Sequence, residues 1–219
     1  MCHNPSTIAI APIDADDIDT LLNLYVELFH HREPLTACIG LRRARLSEIV
    51  RLLYAESISY PPLQQQWWLA RDRADNQRAV GFVVGDDPAL VTDQALPDNL
   101  TVDEQAIFAE VMALLAEVRR PLADQLSAAG TYLHIAAIGV HPQYEGLGIA
   151  TRLLQAAVAD ATARGFRYAF AECTSLTSRR LHEKCGFKHL HRVAVTDWAQ
   201  DKLKQCTVCI DLMQKLLEN

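Results

Sequence analysis

HPQYEGLGIATRLLQ, residues His141 to Gln155, decides how this chain is read. Its two glycines, Gly146 and Gly148, stand one residue apart between an apolar, β-capable run, TYLHIAAIGV (131–140), and a helical one. In the second run Ile149, Leu153, Leu154, Ala157, Val158 and Ala161 recur on one face at helical spacing. A strand, a glycine turn and a helix start make an anion site in that order. The first N–H groups of a helix have no partner inside it, and the helix dipole sets positive charge at the turn. The expected occupant is a phosphate.

One rival reading is a dinucleotide site. Gly146-x-Gly148 begins a GxGxxG pattern, and Glu172 closes the next strand where a ribose-binding acid would stand. The third glycine position is Thr151, however, and too little chain remains for a doubly wound sheet. No GxxxxGK[ST] occurs, which removes the P-loop.

Working outward, STIAIAP (6–12) reads as a first strand, and Asp14 is placed to cap a helix bearing Ile18, Leu21, Leu22, Tyr25, Val26 and Phe29. Pro34 comes soon after its end. A second helix carries Leu46, Ile49, Val50 and Leu53, and Pro61-Pro62 breaks the segment beyond it. Residues 67–70 and 78–85 read as paired strands, and 86–99 as an acidic loop. Thr101 and Glu104 form a capping box for a helix over 101–119. Beyond the glycine turn come a strand (167–173), a short helix (178–184) and strands over 188–195 and 206–213. The order β α α β β α β α β α β β predicts an α/β (α+β) layer with a mixed sheet of about seven strands.

The composition narrows the class. With 219 residues, half of them hydrophobic, the chain can bury a core of its own. A net charge of −6 argues against non-specific nucleic-acid binding. The N-terminal residues lack a cationic start and a sustained apolar run, and no segment has the length of a membrane span, so the expectation is a soluble, cytoplasmic protein. Cys2, Cys38, Cys173, Cys185, Cys206 and Cys209 are scattered and read as free thiols. Cys206-Thr-Val-Cys209 is a lone CxxC in a strand-like run, where i and i+3 face opposite ways. Buried strand thiols are expected there rather than a metal or redox site.

Read with SRRLHEKCGF (178–187), the opening stretch resembles the GNAT acetyltransferase superfamily. Its signature is [Q/R]xxGx[G/A] at a strand–helix turn, with a later helix ending in a K-x-G-F-like tetrad. The two elements here are Glu145-Gly146-Leu147-Gly148-Ile149-Ala150 and Lys184-Cys185-Gly186-Phe187. The resemblance implies the GNAT fold and acetyl-CoA as cosubstrate, with no metal. It places the pyrophosphate on the backbone N–H groups of Glu145, Gly146, Leu147, Gly148, Ile149 and Ala150, and the pantetheine arm along Ile138, Gly139 and Val140. Glu145 departs from the pattern, since a carboxylate beside a pyrophosphate is unfavourable. It is expected to turn outward, toward Arg152. Taking Gln143 as the polar residue instead spoils the spacing from the strand.

HHREPLTACIGL (30–41) is similar to the EPL segment of insect arylalkylamine N-acetyltransferases. Those enzymes also carry an inserted helix before the central strand, matching 101–119, and a Cys-Ser-rich stretch before the KLGF element, matching ECTSLTSRRLHEKCGF (172–187). The likeness spans most of the chain in order. It implies a single domain over 1–219, with 1–130 mainly the acceptor side and 131–219 the acetyl-CoA core and C-terminal strands. The implied partner is a small primary amine, favouring tyramine, tryptamine or dopamine, with a monomeric enzyme. A polyamine or other non-aromatic amine comes second, and a non-catalytic CoA sensor is the alternative from another class.

The same resemblance assigns roles. Glu33 aligns with the general base, which the chemistry needs: an amine with a pKa of about 10 is an ammonium at neutral pH and cannot attack until a proton leaves. The plainer reading of Glu33 is the end of a helix on a solvated face. Thr174 and Ser178 fall on the two serine positions of the insect pattern, and either would serve equally as a helix cap. His182 stands where many members place a tyrosine that protonates the departing thiolate, and Ser178, one turn earlier, is the favoured donor. His134 falls where vertebrate arylalkylamine acetyltransferases place a proton-shuttling histidine, although a satisfied core histidine is the preferred account. Tyr25, Phe29, Trp67 and Trp68 read as core, with one or two lining an aryl pocket.

Overall fold

The computed structural model describes residues 5–54, 66–91, 99–199 and 201–218. Seven strands form one sheet: β1 (Ile8–Pro12), β2 (Trp67–Asp72), β3 (Arg78–Asp86), β4 (Tyr132–Val140), β5 (Tyr168–Cys173), β6 (Lys188–Ala194) and β7 (Cys209–Leu216). Their order is β1-β2-β3-β4-β5-β7-β6. Every pair is antiparallel except β4–β5, which is parallel because α5 (Ile149–Ala163) connects them. Among the described residues the remaining α-helices are α1 (Ile18–Phe29), α2 (Pro34–Ile39), α3 (Arg43–Leu53), α4 (Val102–Arg119), α6 (Leu176–Lys184) and the short α7 (Val195–Trp198).

Apolar stripes set the layers. α5 buries Ile149, Leu153, Leu154, Ala157 and Ala161 against Ala70, Val83, Leu133 and Ile135 on one face of the sheet. On the opposite face α1 packs Leu21, Leu22, Val26 and Leu28 against Trp67, Leu69, Phe82 and Val84. The inserted helix α4 starts with the Thr101–Glu104 capping box and buries Val111, Leu114 and Val118 over Tyr132, Phe170, Ile210 and Leu212. Arg45 Nε and Nη2 each donate to Glu104 at 2.9 Å, tying α3 to that cap. The result is a mixed sheet flanked by helices, as the periodicity predicts.

Four expectations need correction. Pro34 does not lead from a helix into a loop; it opens α2 at the first position, where a missing N–H is harmless. The last strand starts at Cys209 rather than 206. Ile210, Asp211, Leu212 and Met213 are all buried, because β7 lies between β5 and β6 and has no solvent face to produce alternation. Cys38 and Cys206, 168 residues apart, form a disulfide between α2 and the turn before β7. They are therefore not free thiols, and pairing at such a separation leaves no trace in spacing. Cys173 and Cys185 are buried thiols, whereas Cys209 is exposed, not a buried strand thiol. Cys2 and Pro61-Pro62 lie outside the described residues.

Candidate active site

The glycine loop has the backbone an anion cradle requires. Tyr144, buried, anchors its entry by donating from its hydroxyl to Asp72 Oδ2 at 3.2 Å. Gly146 and Gly148 then adopt φ of +79° and +73°, the left-handed region that side chains disfavour. A Cβ built on either would meet nothing within 4 Å, so the ground above both is open. Gly148 caps α5 without any side-chain bond to the helix's first N–H groups. The cradle fits a pyrophosphate. Glu145 has a different partner from the one expected. Arg32 Nη2 donates to its Oε1 at 2.5 Å, whereas Arg152 is engaged with the carbonyls of Ile8 (2.9 Å) and Pro5 (3.3 Å).

The strand leading into this loop is half open. β4 pairs with β5 only at Tyr132, Leu133 and His134, although it runs on to Val140 and β5 to Cys173. β3 stays paired with β4 as far as Val140, through a register shift between Val84 and Gly85. Among the described residues, no strand lies beside the other edge of β4 from residue 135 to 140, and its backbone groups need partners. Ile138, Gly139 and Val140 lie along this edge, between the fork and the cradle.

Glu33 comes to the same end of the sheet. It does not end α1 but caps α2: Oε1 accepts from Leu35 N at 3.1 Å and Oε2 from Thr36 N at 2.6 Å. Thr174, 141 residues away at the end of β5, donates its hydroxyl to Oε1 at 2.5 Å. A carboxylate has about four acceptor sites. Three are filled here, and Oε2 keeps one. Tyr25 stacks on Phe29 (4.3 Å) and Phe82 (5.5 Å) and meets Tyr54 edge-on (5.9 Å). Burial, and then the charge of Glu33, push the Tyr25 hydroxyl well above its ordinary pKa. Trp67 is fully buried core.

Residues 43–187 match the family model described as acetyltransferase (GNAT) family. The chain belongs to that family. By class it is an acetyl-CoA-dependent N-acetyltransferase. Similar solved structures include the C-terminal condensation domain of Ebony in complex with β-alanyl-dopamine, 14% identical, covering 95% of this chain and 98% of that one with a TM-score of 0.75. A mosquito arylalkylamine N-acetyltransferase like 5b is 18% identical, covering 96% and 100%, with a TM-score of 0.73. A Drosophila melanogaster polyamine N-acetyltransferase that forms N-acetylagmatine is 19% identical, covering 96% and 100%, with a TM-score of 0.68. These likenesses establish the fold.

In this acetyltransferase the fork between β4 and β5 holds a buried ionic cluster that the sequence did not reveal. His134 Nδ1 meets Asp86 Oδ1 at 3.0 Å and its Nε2 meets Glu172 Oε2 at 2.8 Å. Arg119, from the end of α4, pairs with Glu172, and the imidazole stacks on Phe170 at 4.7 Å. Glu172, the ribose acid of the dinucleotide reading, is thus taken up inside the protein. Burial alone would lower the pKa of His134, but Asp86 and Glu172 outweigh it and push the ring up to about 9. Burial works against the Glu172 carboxylate, yet Arg119 and His134 hold it far below the usual range. His134 is therefore an imidazolium at neutral pH.

This has a measurable sign. A raised histidine pKa contributes stability that is fully present below about pH 6.5 and is lost as pH rises through about 9. The melting temperature should fall across that window, by an amount corresponding to at most about 3 kcal/mol. His134→Gln should remove this pH dependence. A variant that keeps the same slope would place its origin elsewhere.

The helix carrying the tetrad also departs from expectation. Ser175, not Thr174 or Ser178, caps α6, its hydroxyl accepting from Ser178 N at 3.1 Å. The Thr174 hydroxyl is used on Glu33, and the Ser178 side chain hydrogen-bonds with the buried thiol Cys173. His182 is 1% exposed, donates from Nδ1 to Ser178 O at 2.9 Å, and packs edge-on against Phe187. Burial pushes its pKa down. Among the described residues, no helix is long and apolar enough to cross a membrane.

Proposed function

We propose that this acetyltransferase moves the acetyl group of acetyl-CoA to a small primary amine, with an arylalkylamine such as tyramine, tryptamine or dopamine favoured. The observation that carries the reading is the 2.5 Å bond between Thr174 and Glu33, two residues picked out separately in the sequence, 141 positions apart, and brought together by the fold. When bound, acetyl-CoA supplies the activated acyl group and leaves as its thiolate. The cradle at Glu145–Ala150 holds its pyrophosphate, and the free edge at Ile138, Gly139 and Val140 receives the pantetheine arm. Glu33 accepts the ammonium proton at the open site on Oε2, held in place by two backbone N–H groups and the Thr174 hydroxyl. Tyr25, Phe29 and Tyr54, which are not fully buried, line the aryl side. His134, already protonated at neutral pH, does not take the amine's proton; it fixes the fork. We read 1–219 as one domain acting as a monomer in the cytoplasm.

A polyamine acceptor is the second reading, and the Drosophila structural relative gives it support. Thermal stabilisation by acetyl-CoA, measured beside thiol release with a panel of amines, tests the enzyme against the non-catalytic alternative. Stabilisation together with amine-dependent thiol release supports the enzyme. Stabilisation without release would make the protein a CoA sensor.

The thiolate must regain a proton. A thiol is a fair leaving group, so help from an acid should lie near the low end of about 10²–10⁴. His182, buried and held neutral, is a poor donor, which leaves Ser178. Ser178→Ala should lower kcat more than His182→Ala at pH 8, with the KM for acetyl-CoA little changed. The reverse order would make His182 the acid.

A further inference from the structure

We propose that Arg32, in the turn between α1 and α2, supplies the cationic side chain for the acetyl-CoA pyrophosphate that the loop Glu145–Ala150 lacks. The proposal rests on the reading of that loop as the pyrophosphate cradle. The six loop residues are Glu, Gly, Leu, Gly, Ile and Ala, so none offers a side-chain donor to a phosphate. Backbone N–H groups can hold the oxygens but cannot balance the charge, and Glu145 adds a negative charge at the rim. Arg152, the next cation along the chain, is bound to the carbonyls of Pro5 and Ile8.

Arg32 reaches this rim from 113 residues away in sequence. Its Nη2 donates to Glu145 Oε1 at 2.5 Å, with side-chain exposures of 44% and 56%. An exposed pair of this kind contributes little to folding. Among the described residues the guanidinium makes no other side-chain hydrogen bond, so most of its five donors remain for a ligand. Its charge also helps lower the pKa of His141, after burial and Arg78. His141 otherwise meets Glu27 (3.4 Å) and Arg78 (3.2 Å), and Arg78 in turn pairs with Asp75 at 3.6 Å. Arg32 is thus the cation at the rim with donors to spare.

Glu145 then has a use. It holds the guanidinium beside the cradle, and a planar fork of donors can turn part of its face to a phosphate while keeping one bond to the carboxylate. Arg32 directly precedes Glu33. One turn therefore offers a cation to the cosubstrate and a carboxylate to the amine.

Calorimetric titration of the full chain with acetyl-CoA tests this, alongside kinetics with S-acetylpantetheine, a donor without the pyrophosphate. Arg32→Ala should weaken acetyl-CoA binding about tenfold to a hundredfold. Its kcat/KM with S-acetylpantetheine should match that of the unaltered protein. Arg32→Lys should recover part of the loss, and Glu145→Gln combined with Arg32→Ala should lose less than Arg32→Ala alone, because the repulsive carboxylate is gone. Equal losses with both donors would mean that Arg32 only shapes the turn, and would overturn the proposal. Unchanged acetyl-CoA affinity in Arg32→Ala, with binding abolished in Gly148→Val, would also overturn it while leaving the cradle intact. Normal binding in Gly148→Val would remove the cradle itself.

Discussion

Replacing Glu33 by alanine should lower kcat/KM for the amine by about 10²–10⁴. The reason is the acceptor's charge: at neutral pH nearly all of a primary amine is ammonium, and the reactive lone pair appears only when a base takes the proton. The loss should shrink as pH approaches the pKa of the amine, where free amine no longer needs the carboxylate. Glu33 also caps α2, and losing a cap lowers stability by about 1 kcal/mol. Melting temperature must therefore be tracked beside rate. Glu33→Gln separates the two roles in part, since its one amide oxygen still accepts from an α2 N–H group but cannot take a proton. A pH-independent loss in both variants would assign Glu33 to cation binding or to the cap instead.

Gly148→Val should abolish acetyl-CoA binding in calorimetry. Gly148 has φ of +73° and open ground above it, so a branched side chain would fill the space the phosphates need while straining the backbone. Strain alone would also lower stability, and Gly130 supplies the control. It has the same φ of +73°, and likewise nothing within 4 Å of a built Cβ, but stands before β4 rather than in the loop. Gly130→Val should lose comparable stability and keep its affinity. Equal affinities in the two variants would detach the cosubstrate from this loop.

The sequence carried the parts whose signals are local. Gly146 and Gly148 mark a turn because only glycine sits easily at positive φ, and the stripe from Ile149 to Ala161 marks α5 because a helix buries one face. Thr101 and Glu104 locate the start of α4 because the capping box is made by residues three apart. What was hidden depends on partners far along the chain. Thr174 and Glu33, Arg32 and Glu145, Arg119 and Glu172, and Cys38 and Cys206 are pairs set by the packing of α2 and α4 on the sheet, and spacing does not report them. α2 escaped notice because six residues are too few to show a period, and its opening proline reads equally well as a stop. Asp211 sits in the middle of an apolar run, where a charge argues against a central strand. It is tolerated because Arg192 grips it through two bonds of 2.8 and 2.9 Å, with His189 at 2.9 Å and Arg179 at 3.5 Å.

The most direct test is a competition for the acetyl group. Tryptamine, tyramine, dopamine, spermidine and putrescine would be mixed at equal concentration with acetyl-CoA and a catalytic amount of the protein, and the acetylated products identified by mass spectrometry. The geometry at Glu33, Thr174 and the Tyr25 cluster predicts that the N-acetylated arylalkylamines dominate, and that Glu33→Gln suppresses all of them together. Acetylated spermidine or putrescine in excess, or no acetylated amine from a protein that still binds acetyl-CoA, would contradict it.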